Sequence, residues 1–248
     1  MHLPAKAPGP ISAIAAAPDG ETLAYACGAQ VFLTATDQDQ PRTLRALTTV
    51  TGLAFSPDGQ TLAVTHEAGL SRWSLTDPES GPLNTPMSGL PINVTWRSDG
   101  AWLTCCFEAD GFCLINAATN TAHAQGNFPA PVRSAAFGDP TNTVAASGAF
   151  RVAAWSLDDH ADIKSGKAGL VLINAIATSP TRNLVAVGYA NGLLSLAEIG
   201  RPSEILLRED TGAGITAMAW SHNGNYLALA GADGSVALVE FPDSMFKS

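Results

Sequence analysis

The sequence predicts an all-β fold, a β-propeller of six four-stranded blades, and three observations carry that prediction. A pattern of short apolar strand, Pro/Asp/Gly/Asn turn and second apolar strand occurs six times. Its copies follow one another at a period near 41 residues, and each divides into four strands separated by tight-turn signals. Six such units account for nearly the whole 248-residue chain.

The clearest copy is Leu53-Ala54-Phe55-Ser56-Pro57-Asp58-Gly59, followed by Leu62-Ala63-Val64. Weaker copies begin at Ile14, Val94, Ala135, Ile176 and Met218. The slot held by Phe55 falls at Ala16, Phe55, Trp96, Phe137, Thr178 and Trp220, at intervals of 39, 41, 41, 41 and 42. These positions set repeats at about 11–48, 49–89, 90–130, 131–171, 172–213 and 214–241, within one domain spanning 1–248. The residue before the slot is small throughout: Ala15, Ala54, Thr95, Ala136, Ala177 and Ala219. Innermost strands converge on a propeller axis, where little room is left, and the slot residue fills the wider gap between blades.

Within a repeat the elements follow in order. The first strand ends at the slot, and a Pro/Asp/Gly/Asn turn leads into the second. Ala232-Asp233-Gly234, Ala190-Asn191-Gly192 and Ala109-Asp110-Gly111 then mark the hairpin to the third, because Asp-Gly and Asn-Gly accept positive φ. Outer strands are expected at 43–47, 82–87, 121–127, 162–167 and 203–208, one fewer than the repeats. Residues 2–6 lie at the right distance to supply the sixth. The N-terminal segment would then close the ring and remove an open sheet edge, and an outermost strand tolerates Pro4.

Composition bounds the function. At 46% hydrophobic and 14% charged the chain is too apolar for disorder and builds a sizeable core. No run approaches the length of a membrane helix, and the N-terminus lacks the apolar stretch of a signal peptide, so the expected location is cytoplasmic. A net charge of -9 disfavours nucleic acid and anionic membrane and favours protein partners with a basic surface. Cys27, Cys105, Cys106 and Cys113 have no framework spacing and read as reduced thiols, and the five histidines are scattered, so neither a metal nor another cofactor is expected.

The apolar-Ala-aromatic strand, Ser-Pro-Asp-Gly turn, Leu-Ala strand, Asp-Gly hairpin and closing Trp resemble the WD-repeat family over roughly residues 11–241. That resemblance implies a rigid platform on which partner proteins assemble. The family's signatures are missing in part: Trp73 and Trp155 are followed by Ser74 and Ser156 rather than Asp, and no Gly-His pair occurs. The buried His/Asp network of the family is therefore expected to be absent, so that the blades rely more on apolar packing.

No catalytic motif stands out: there is no G-x-S-x-G, no phosphate-cradling Gly loop with Lys and no H-E-x-x-H. Four residues before the slot, where the resemblance implies the top of the channel, stand Ser12, Thr51, Ile92, Arg133, Asn174 and Thr216. One cation and no acid make a poor calcium cage. The same row is the candidate partner-binding face, with Arg133 its only charge and Glu67, Phe150 and Tyr189 on neighbouring turns. The acidic run Asp158-Asp159-His160-Ala161-Asp162 reads as an outer loop, and His66 beside Glu67 as surface decoration. The function expected is a non-catalytic interaction scaffold or assembly subunit. The alternative is a small-molecule-binding or hydrolytic, lactonase-like propeller using its central channel.

Overall fold

A computed structural model describes residues 8–35, 41–77 and 79–242. The described residues form six antiparallel sheets, with one 3-10 turn (Asp139–Thr141) besides. The chain divides into two compact units, Met1–Gly126 and Asn127–Ser248, of three sheets each.

In the first unit, sheet one is β1 (Ala13–Ala16), β2 (Thr22–Cys27), β3 (Gln30–Ala35) and β4 (Arg42–Arg45). Sheet two is β5 (Val50–Phe55), β6 (Thr61–His66), β7 (Gly69–Ser74) and β8 (Leu83–Pro86). Sheet three is β9 (Thr95–Trp96), β10 (Trp102–Cys106), β11 (Phe112–Asn116) and β12 (Ala122–Gln125). In the second unit, sheet four is β13 (Ala135–Gly138), β14 (Thr143–Ala146), β15 (Val152–Ser156) and β16 (Asp162–Ser165). Sheet five is β17 (Ile173–Thr178), β18 (Leu184–Tyr189), β19 (Leu194–Glu198) and β20 (Glu204–Arg208). Sheet six has three strands, β21 (Ile215–Trp220), β22 (Tyr226–Gly231) and β23 (Val236–Glu240). The segment 2–6, expected to supply a fourth strand there, lies outside the described residues.

The repeated turn works by local hydrogen bonding. In the second sheet Ser56 Oγ donates to Asp58 Oδ1 at 2.5 Å, and that oxygen accepts the Gln60 N–H at 3.0 Å. Gly59 then takes φ 71°, a left-handed conformation that a Cβ disfavours. The Ser56 hydroxyl holds the Asp58 carboxyl below the usual carboxylate range, with the Gln60 amide adding to it. Asp19-Gly20, Asp99-Gly100 and Asn223-Gly224 repeat the device, with Gly φ of 71°, 72° and 70°. In the fourth sheet the 3-10 turn replaces it, and Asn142 supplies the left-handed residue at φ 52°.

The slot residues tie each sheet to the one before it within a unit. Trp96 Nε1 donates to the Ala54 carbonyl at 3.2 Å, and Trp220 Nε1 to the Ala177 carbonyl at 3.0 Å. Thr178, where the aromatic is missing, makes the same connection by donating its hydroxyl to Phe137 O at 2.6 Å. Between sheets two and three the approach is close enough that a Cβ on Gly52 would meet the Asn93 backbone at 3.0 Å.

Sheet six differs from sheet five in what covers it. Ala175, Ala177, Ala186, Leu194 and Leu196 of sheet five are buried against Ile215, Leu227 and Leu229 of sheet six. Their repeat equivalents on sheet six, Ala217, Ala219, Ala228, Val236 and Leu238, are exposed, Val236 by 81% and Leu238 by 66%. Sheet one shows the complement. Val50, Val132, Ile173 and Ile215, each five residues before the slot, are buried, whereas Ile11 in that place is exposed. Among the described residues no helix is long and apolar enough to cross a membrane.

Candidate functional site

The row four residues before the slot occupies one kind of position. Thr51, Asn174 and Thr216 each sit at a register shift in the innermost strand, between Val50 and Gly52, Ile173 and Ala175, and Ile215 and Ala217. A bulge of this kind re-aims one side chain out of the alternating pleat. Ser12, Ile92 and Arg133 precede their strands instead, each held by its amide: Ser12 to Ala26 O, Ile92 to Cys106 O and Arg133 to Ser147 Oγ at 3.1 Å. Thr51 spends its hydroxyl on the Pro91 carbonyl at 2.5 Å, and Thr216 spends its own on Ala230 O at 3.2 Å. Arg133 and Thr216 are exposed, whereas Thr51, Ile92 and Asn174 are half-buried.

The turn residues behave differently from one another. Glu67 is exposed at the β6–β7 hairpin, and Phe150 is 44% exposed between β14 and β15. Tyr189 is buried, and its hydroxyl is engaged within its own sheet: it donates to Glu204 Oε2 at 2.7 Å. Its neighbour on β19, Ser195, donates to the same oxygen at 2.5 Å, and the Lys167 amide donates to Glu204 Oε1 at 2.8 Å. Desolvation, reinforced by Glu204, pushes the Tyr189 phenol well above its ordinary range.

A second buried network adds polar bonding to the apolar packing on which the blades are expected to rely more. His66, expected as surface decoration, is buried at the end of β6. Ser71 Oγ donates to Asn84 Oδ1 at 2.6 Å, so the 2.8 Å contact between Ser71 Oγ and His66 Nε2 is donated by the imidazole. His66 Nδ1 is then the acceptor for the Ala68 N–H at 3.2 Å. This fixes one neutral tautomer, and burial pushes the imidazole pKa down. Both networks join the end of a second strand to small hydroxyls on the third strand and a polar side chain on the fourth. Different residue types do the work, so a search for Gly-His and Trp-Asp passes over them.

Two grooves, one in each unit, are lined by residues of these networks or of the repeated turns. One, of about 640 Å³, lies in the first unit, lined by Asp58, Trp96, Asp99 and Arg72 among others. Its cation is already engaged: Arg72 Nη1 and Nη2 donate to Ala117 O and Asn120 Oδ1, both at 2.8 Å, bonding sheet two to sheet three. The other, of about 350 Å³, lies in the second unit beside Tyr189, Ser195 and Glu204. Ser195, Glu204 and Lys167 were not singled out in the sequence. The available signal is β20 itself, Glu-Ile-Leu-Leu-Arg, the only outer strand with three consecutive large aliphatics among those described. Among the described residues no group of three or more His, Cys, Asp or Glu side chains is placed to hold a metal, and all four cysteines are buried free thiols.

Six sheets of repeated strand order, joined within each unit by slot residues and mostly turned by Asp-Gly or Asn-Gly bends, define the class of repeat β-proteins to which propellers belong. A model of the anaphase-promoting complex subunit 4 WD40 domain matches residues 176–245. The crystal structure of the Myceliophteria thermophila Cps50 (Swd1) β-propeller domain is similar in fold, with a TM-score of 0.70 at 16% identity, over 94% of this chain and 84% of that one. No curated protein sequence matches the chain. The family match is confined to the last third of the chain, and the structural likeness over nearly the whole chain shows the β-propeller fold.

Proposed function

We propose that the chain is a non-catalytic protein-interaction scaffold, a subunit of a larger assembly, built as one six-bladed ring over residues 1–248. The observation that carries the binding role is the recurrence of one strand position, at Thr51, Asn174 and Thr216, that places a non-pleated residue at the same point of sheets two, five and six. The matching family is named for a WD40 domain of a complex's subunit, which agrees with this reading.

Ring closure is supported by the exposed apolar face of sheet six and by Ile11 of sheet one. Both are residues whose repeat equivalents are covered, and closing the ring would cover both. Among the described residues β23 is the outermost strand of its sheet, and its edge is the place that the N-terminal segment would fill. Four free thiols suit a reducing, cytoplasmic setting. The net charge of -9 would steer a partner with a basic surface and repel nucleic acid.

Arg133, Thr51, Ile92, Asn174, Thr216, Glu67 and Phe150 form the proposed face, with Arg133 as its charged anchor. Calorimetric titration of a co-purified stoichiometric partner tests this. Arg133→Ala should weaken the complex about tenfold while leaving the melting temperature unchanged. Equal affinity for wild type and variant would remove Arg133 from the interface.

A further inference from the structure

The groove of the second unit has a polar floor whose groups are already satisfied and walls that are not. On the floor, the two Glu204 oxygens accept from Tyr189, Ser195 and the Lys167 amide, so the carboxylate is used internally. The wall residues Leu170 and Leu206 are 96% and 53% exposed, although leucine is among the residues most costly to leave in water. The loop that carries Leu170 is held in place rather than loose: Gly169 donates to Phe150 O at 3.0 Å and Gly166 to Arg201 O at 2.8 Å. Gly166 is at φ 70°, and a Cβ there would strike Glu204 Oε1 at 2.5 Å, so the groove wall and floor are built around this glycine.

The charge at the rim is opposite in sign to the charge of the chain. Lys167 lines the groove and is exposed, and its backbone rather than its ammonium serves Glu204. Arg201, whose carbonyl accepts from Gly166, has its guanidinium loosely paired with Glu198 at 3.8 Å. An apolar slot with an ammonium at its mouth is complementary to an aliphatic side chain that has a carboxylate beside it. Beside the slot, β20 pairs only with β19 among the described residues, an edge that suits an extended segment.

The geometry points to this groove as a docking site for an extended segment of a partner protein, with a leucine-like side chain seated between Leu170 and Leu206 and an adjacent carboxylate on Lys167. This rests on the scaffold reading above and names the chemistry of its anchor. The long-range field of the acidic chain governs approach, while the groove selects the contact.

Fluorescence polarisation with the full chain tests it, using a labelled peptide of alternating glutamate and leucine and its lysine–leucine counterpart. The glutamate peptide should bind saturably and the lysine peptide about tenfold more weakly. Leu170→Glu, at a fully exposed position that folding tolerates, should weaken the glutamate peptide about tenfold. Lys167→Glu should reverse the preference between the two peptides. Absence of binding, equal binding of both peptides, or indifference to both variants would overturn the proposal. The co-purified partner separates this result from the scaffold reading. A complex weakened by Arg133→Ala but untouched by Lys167→Glu and Leu170→Glu keeps the scaffold and removes the groove. A complex weakened by Lys167→Glu and Leu170→Glu supports the groove.

Discussion

His66 shows how much a single side chain's surroundings can alter its meaning. In the sequence it neighbours Glu67 near a glycine and looks like part of a polar turn; in the structure it ends a strand whose inward face is buried, and its two nitrogens are committed to Ser71 and Ala68. Protonating Nδ1 would set a donor against the Ala68 N–H, and burial already disfavours the charge. The folded-state pKa is therefore lowered, so below the ordinary value of 6.5 the unfolded chain gains the proton first. Stability contributed by this group is whole above that pH and falls as pH drops through it, down to the folded pKa. Urea midpoints at pH 7.5 and 5.0 should accordingly fall further for wild type than for His66→Gln, and parallel falls would show that His66 carries no linkage. Tyr189 was misplaced for a related reason: its position at the end of β18 was legible, but the direction of its side chain depends on Glu204, a residue fifteen positions later.

At the level of elements, the turns and strand ends were readable because their causes are local. Asp58 and Gly59 form a bend through bonds to residues at most a few positions away, and the same pattern recurs around Gly20, Gly100 and Gly224. Gly59→Ala should cost about 1 kcal/mol by urea denaturation, because the nearest atom to a new Cβ, Pro18 Cδ, is at an ordinary 3.7 Å and only the conformation is penalised. Gly59→Asn should cost less, since asparagine accepts positive φ. A larger loss for asparagine than for alanine would contradict a conformational origin. The innermost-strand bulges were not legible. They show only in register, where Thr51, Asn174 and Thr216 have no partner opposite, and the composition of those strands carries no mark of it.

For the whole molecule, the period near 41 exposed the repeat because each repeat obeys the same local rules, whereas the exposure of Val236 and Leu238 on the last sheet is carried by no local pattern. If the proposed ring closes over sheet six, Leu238→Arg places a charge in an apolar contact and should lower stability by about 2 kcal/mol or more. A change within about 0.5 kcal/mol would mean that this face stays in water. Calorimetry of the full chain distinguishes the two. The cysteines make a finer measurement possible. Cys27 lies in sheet one and Cys105, Cys106 and Cys113 in sheet three, so all four sit in the first unit and none in the second. Burial pushes the Cys113 thiol up to about 11 and Cys105 higher than usual, which keeps both slow to react while folded. A thiol-modifying reagent therefore reads the opening of one half of the chain against a silent other half. Without an introduced label, the protein reports the opening of its first unit alone.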